Sequence, residues 1–180
     1  MNEQLWFDFT VEGIFVKGLG QRLTPELRSD LKTLGIDLDR LGPAYPVTTA
    51  RKGLEAAWQR VFPELSKADA FRELGRLSVQ GYLDTMVGKA VLGLVRIMGV
   101  KRSLLRLHQT LSGGSNYVKA SSELVGPNAI EITIQDASDM PTFWEGVLLG
   151  GAQIAHAKNL RMTIIDRPAP ACGYRVEWED

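Results

Sequence analysis

Lys101 and Arg102 are adjacent cations in the first turn of a predicted helix, roughly Lys101 to Leu111. The helix dipole favours anions at that end, so the pair sits at the electrostatically wrong terminus. Together they could bind a phosphate or carboxylate. They belong to a longer asymmetry. From Thr85 to Ser122 there is no acidic residue, while Lys89, Arg96, Lys101, Arg102, Arg106 and Lys119 are basic. From Glu123 onward acids outnumber bases. The plainer reading, and the favoured one, is a solvated face or a contact with the acidic C-terminal segment of the same or another chain. Cys172 is the only cysteine, which excludes an intrachain disulfide and a multi-cysteine zinc site. Arg175 is its nearest following cation, too little to argue a reactive thiolate, so structural burial is expected. The histidines are His108 and His156. There is no Gly-x-x-x-x-Gly-Lys loop, no Gly-x-Ser-x-Gly and no His-Glu-x-x-His. Catalysis is therefore not expected.

The elements that would position these groups are clearest from Asn116 to Trp178. Ile130, Ile132 and Ile134 alternate with Glu131, Thr133 and Gln135, the period of a strand with one buried face. Tyr117 to Val125 reads as its hairpin partner across Gly126-Pro127-Asn128. Thr142 with Glu145 has the spacing of a capping box, which predicts a helix from there to about Ala157. Gly146, Gly150 and Gly151, with Ala155 beyond, give that helix a small-residue face. Close packing is the favoured use, close approach of a ligand the other. His156 falls near its C-terminal end, where a partly charged imidazole suits the dipole. Met162 to Ile165 is a third predicted strand. Asp166 to Gly173 is a loop, and Tyr174, Val176 and Trp178 alternate with polar residues in a fourth strand. The helix between two hairpins would cover one face of a four-stranded antiparallel sheet.

The preceding half reads as helices. Val11, Ile14, Phe15 and Leu19 are spaced as one apolar helical side. Thr24-Pro25 starts a helix that should stop at Gly35, and Asp37 to Pro46 is a loop. Thr48 or Thr49 caps the next helix, through Leu54, Ala57, Trp58 and Val61 to Pro63. Ser66 caps another, through Phe71, Leu74, Leu77 and Tyr82. Met86 to Met98 is apolar almost all round and is expected to be a buried central helix, with Gly99 separating it from the Lys101 helix. Helices first and strands last define an α+β class, with a helical layer over 1–112 and a ββαββ part over 113–180 in a single expected domain.

The chain has 180 residues, 44% hydrophobic and 23% charged, and its 21 basic residues balance 21 acidic ones. That balance argues against nucleic acid as a partner. Met86 to Met98 is too short to span a bilayer, and no secretion signal is evident, so a cytoplasmic location is expected.

Several short segments carry a resemblance. Glu12-Gly13-Ile14-Phe15-Val16-Lys17-Gly18-Leu19, Leu38-Asp39-Arg40, Ala44-Tyr45-Pro46, Gly81-Tyr82-Leu83-Asp84-Thr85 and Ser115-Asn116-Tyr117 resemble, in order, a large paralogous family of uncharacterised myxobacterial proteins. Glu145-Gly146-Val147-Leu148 and Cys172-Gly173-Tyr174-Arg175-Val176-Glu177-Trp178 are similar to segments of a wider superfamily. Its members include haem-based nitric-oxide-binding domains, vinyl reductase regulatory domains and transport-particle (TRAPP) subunits. This implies a small-molecule-binding or protein-docking scaffold, often dimeric, with a pocket between helices and sheet. His108 lies roughly where the haem-binding relatives place an axial histidine, and an imidazole there could ligate iron. Those relatives also carry a Tyr-x-Ser-x-Arg signature for the propionates. Here the second strand reads Ile132-Thr133-Ile134-Gln135-Asp136, without arginine. Haem is therefore not expected, and no other cofactor or metal is called for.

The reading favoured at this level is a non-enzymatic regulatory or scaffold module. It would dock to itself, as a homodimer, or to a partner protein, with a small apolar or anionic ligand held between buried helix and sheet. Lys101, Arg102 and His108 are the candidate ligand-binding residues. Phe143 and Trp144 are candidates for a hydrophobic interface or for core. The alternative is a small-molecule or haem-type sensor with its pocket under helix 86–98.

Overall fold

The computed structural model describes residues 3–179, the side chains of 86, 87, 94, 96 and 107–110 excepted. The chain opens on a short strand, β1 (Leu5–Phe7), paired antiparallel with β2 (Ala44–Pro46). Three-residue strands are too short for alternation to reveal, which is why 37–46 reads as loop in the sequence. After β1 come one turn of helix, α1 (Asp8–Val11), a π-helical segment (Glu12–Gly18) and a 3-10 turn (Gly20–Arg22). The expected apolar side is real: Val11, Ile14, Phe15 and Leu19 are all buried. Thr24 caps α2 (Pro25–Thr33), its Oγ1 accepting the Leu27 N–H at 3.2 Å.

Next, α3 (Val47–Val61) starts earlier than either threonine cap predicts, with Pro46 at its N-cap and no side-chain cap. The Val47 N–H instead donates to the Gln4 carbonyl at 2.9 Å, so pairing beside β1 sets the helix start. In α4 (Lys67–Leu83) the expected cap holds, Ser66 Oγ accepting the Asp69 N–H at 3.2 Å. The 28-residue α5 (Met86–Gly113) joins both helices expected on either side of Gly99, with Gly99 non-helical at φ 70°, ψ 174°. Its first half is not a buried central helix. Lys89, Ala90 and Gly93 are exposed, and Ile97 is 85% exposed.

The remainder is β3 (Ala120–Gly126), β4 (Ala129–Ile134), α6 (Pro141–Ile154), β5 (Lys158–Ile165) and β6 (Cys172–Glu179). The four strands form one antiparallel sheet in the order β3-β4-β6-β5. The protein is thus α+β, with the ββαββ order read from its sequence. Register places Ile130, Ile132 and Ile134 opposite Val176, Tyr174 and Cys172, and all six are buried. The capping box does not form: α6 begins at Pro141, and its N-cap Met140 makes no side-chain cap bond. The Tyr174 hydroxyl donates to the Pro141 carbonyl at 2.8 Å, anchoring the start of α6 to the sheet. The glycines of α6 serve packing. A Cβ at Gly146 would strike the Arg72 carbonyl and one at Gly75 the Phe143 carbonyl, so α4 and α6 cross backbone to backbone.

Candidate functional site

The close crossing of α4 and α6 leaves a cavity beside it, of about 130 Å³. Trp6 enters from β1, Phe9 and Thr10 from α1, and Ile14 from the π-helical segment. Ser78, Val79 and Tyr82 come from α4, and Phe143, Trp144, Val147 and Gly151 from α6. Leu111, Ser115 and Val118, around the end of α5, close it. Trp6 stacks on Phe143 with centroids 5.7 Å apart, and Phe143 meets Trp144 edge-on at 5.5 Å. Phe9 leans on Tyr82 at 6.3 Å. Aromatic pairs at such separations fix one another's orientation as well as burying apolar area.

Most polar atoms of this wall are already satisfied. Thr10 Oγ1 donates to the Gly114 carbonyl at 2.8 Å, and Ser78 Oγ to the Gly75 carbonyl at 2.7 Å. Ser115 Oγ accepts from the Val118 N–H at 3.0 Å, and Trp6 Nε1 donates to the Tyr117 hydroxyl at 3.0 Å. Burial pushes the phenols of Tyr82 and Tyr117 above the ordinary tyrosine range, so both stay neutral. The exception is Trp144, whose indole Nε1–H is buried without a hydrogen-bond partner. Such an orphan donor costs about 1–3 kcal/mol. No carboxylate, cysteine or cation is among the described lining residues.

A second, open depression beside α4 and α6 is lined by several charges that pair with one another or with Glu145. Arg72 binds Glu145 at 2.8 Å and Asp69 at 2.6 Å, and Arg76 binds Glu73 at 2.6 Å.

Of the sequence-derived candidates, Phe143 and Trp144 line the cavity, whereas Lys101 and Arg102 do not. Lys101 and Arg102 are exposed on α5 just past Gly99, away from it. His108 has its side chain outside those described; Leu111, three residues on, lines the cavity. Phe143 and Trp144 are 3% and 6% exposed, so the contact surface they offer is internal. Cys172 is buried under the sheet face, and His156 is exposed just beyond α6 at φ 62°. None of the described side chains of 86–98 lines the cavity. Sequence reading missed Trp6 and Phe9. Their signal is the aromatic density of Leu5-Trp6-Phe7-Asp8-Phe9, which has no helical or strand period. Among the described residues no cluster of groups could hold a metal ion.

Residues 4–179 match the family described as protein of unknown function (DUF2378). The chain belongs to this family. Among solved structures, this DUF2378 member resembles an oxygen-binding H-NOX domain related to soluble guanylate cyclases, in its oxygen complex. Identity is 14%, 96% of this chain and 95% of that one are covered, and the TM-score is 0.75. It likewise resembles a Cs H-NOX variant carrying 4-cyano-L-phenylalanine, at 15% identity, 96% and 97% coverage and TM-score 0.72. A variant of T. tengcongensis H-NOX follows at 14% identity, 96% and 98% coverage and TM-score 0.66. No curated protein matches. At these identities the likeness is one of fold. The expected membership of an uncharacterised family therefore holds, and the expected likeness to haem nitric-oxide-binding domains holds for the fold.

Haem distortion has been probed in the H-NOX family, so the cavity has to be tested for a porphyrin. It does not fit one as it stands. About 130 Å³ is close to the roughly 150 Å³ of an apolar cavity that takes up benzene or xenon. Nor does any described lining residue carry the positive charge that propionates require.

Proposed function

We propose that this chain is a non-enzymatic sensor or regulatory module of the DUF2378 family that binds one small, neutral, largely apolar molecule in the aromatic cavity. The occupied and empty states would differ in how the module docks to itself or to a partner protein. One observation carries the reading. The cavity wall is apolar and aromatic, and one of its residues, Trp144, carries a buried indole N–H that no described residue satisfies. A ligand bringing one acceptor to that donor gains a hydrogen bond that the empty protein lacks. The absence of a carboxylate, histidine, cysteine or cation among the described lining residues, which leaves the Thr10, Ser78 and Ser115 hydroxyls without a base beside them, supports binding rather than turnover. The H-NOX fold supports a sensing role at the level of architecture alone.

The test uses benzene and benzaldehyde, which share a ring and differ by one carbonyl acceptor. Indole NMR resonances of the purified protein report binding. Both probes should shift them, benzaldehyde should bind tighter, and Trp144→Phe should erase the difference while keeping benzene binding. No shift with either probe overturns the reading. Native mass spectrometry and an absorption spectrum belong to the same experiment. A Soret band lost in His108→Ala would replace the proposal with a haem sensor.

A further inference from the structure

The first half of α5 faces solvent with the wrong residues. Lys89, Ala90, Gly93 and Ile97 are exposed, and their spacing of three and four places them along one side of the helix. A surface helix normally turns charged and polar residues outward. Here, beyond Lys89, the exposed residues among those described before Gly99 are Ala90, Gly93 and Ile97, the last 85% exposed.

The charged residues of α5 itself are all basic. No acid occurs from Thr85 to Ser122. Several cations elsewhere are paired, Arg28 with Asp39, Lys32 with Asp37, Arg60 with Asp30 and Lys67 with Glu55, whereas Arg22, Arg40, Lys52, Lys158 and Arg161 share with those of α5 the lack of an ion pair among the described residues. Among the described residues, none of Lys89, Lys101, Arg102 and Lys119 has an ion-pair partner, and Arg106 reaches only the Met98 sulfur, at 3.6 Å. A second copy of the chain is a poor occupant, because two-fold pairing would set this basic face against itself. A nucleic acid would answer the cations and leave Ile97 in water.

We infer that this face of α5 docks on an anionic phospholipid surface. Ala90, Gly93 and Ile97 would enter the boundary of headgroups and acyl chains, with Lys89, Lys101, Arg102 and Arg106 among the lipid phosphates and carboxylates. An apolar stripe flanked by long basic side chains has the composition of a helix lying in that interface. Lysine and arginine stems can lie along the apolar layer while their charges stay in the headgroups. Among the described residues no helix is long and apolar enough to cross a membrane, so the contact is a surface one.

The full chain is to be co-sedimented with phosphatidylcholine vesicles with and without phosphatidylserine, at low and at physiological salt. Binding should require phosphatidylserine and weaken as salt rises. Ile97→Asp, a change at an exposed position, should weaken it about tenfold, and Lys101→Glu with Arg102→Glu at least as much. Circular dichroism should show both variants folded. Absence of binding to phosphatidylserine vesicles at low salt overturns the inference. So does binding that Ile97→Asp leaves unchanged, or a polyglutamate peptide that binds as tightly as the vesicles, which would mark the face as a site for an acidic protein. None of these results depends on whether the aromatic cavity is filled.

Discussion

Tyr174 concentrates several functions in one side chain. It is fully buried, it sits opposite Ile132 in the sheet, and its hydroxyl holds the first residue of α6. Burial pushes its phenol far above the ordinary tyrosine range. The consequence for stability has a definite sign. An acid whose folded pKa lies above its unfolded value keeps its proton in the native state while the unfolded chain releases it. The contribution of Tyr174 is therefore intact below the unfolded tyrosine pKa of about 10 and is lost as pH rises above it. Tyr117 and Tyr82, raised for the same reason, add to the same alkaline slope. Urea melts from neutral pH to above 10 should show stability falling only in the alkaline limb. Tyr174→Phe should lower stability by about 1 kcal/mol at neutral pH through loss of the bond to Pro141, and should flatten the alkaline fall. The same residue shows what a sequence reveals. Its alternation with Val176 and Trp178 announces a strand residue, whereas its hydroxyl partner 33 residues away leaves no trace in any local pattern.

At the scale of elements, the two halves of α5 invite opposite expectations for the same substitution. Gly99 sits at φ 70°, ψ 174°, and a Cβ added there would meet nothing within 4 Å. The cost of Gly99→Ala is therefore conformational, about 1–3 kcal/mol. Gly93 also has nothing near its Cβ position, but it is helical and exposed. Gly93→Ala should stabilise by up to about 1 kcal/mol through helix propensity. Thermal melts of the two variants should move in opposite directions. Equal shifts would mean that α5 does not keep its break at Gly99. The break was legible in the sequence as a glycine between two helical stretches. The outward face of the first half was not, because a segment apolar on all sides carries no moment to say which side is buried. The threonine caps before α3 and α6 failed for a related reason. A cap spacing states that a bond can form, but in α3 the Gln4 carbonyl fixes the start, and in α6 Pro141 does.

Across the whole molecule, fold and site differ in the range of the information that specifies them. Local alternation announces β4 and β6, and turn chemistry and β-forming residues supply their hairpin partners, so the ββαββ order could be read without tertiary knowledge. The cavity is built from β1, α1, the π-helical segment, α4, the end of α5 and α6. No two neighbouring residues of the sequence announce it. Its size depends on how closely α4 and α6 approach, and that distance is set by Gly75 and Gly146, whose Cβ positions are occupied by facing carbonyls. Filling the cavity should therefore separate the site from the scaffold. Val79 lines it from α4 and is only half-buried, so Val79→Phe can place a ring in the space while the glycine crossing holds the helices. Overpacking could cost about 1–3 kcal/mol, offset by apolar area withdrawn from water at roughly 25 cal/mol per Å². The expected outcome is a melting temperature within a few degrees of the parent and loss of benzene uptake, read by the same indole resonances. Unchanged benzene shifts in a folded Val79→Phe protein would place the binding site elsewhere. A collapse in stability would mean that the empty space is needed for the crossing of α4 and α6 itself, and the cavity would then be a structural gap rather than a place for a ligand.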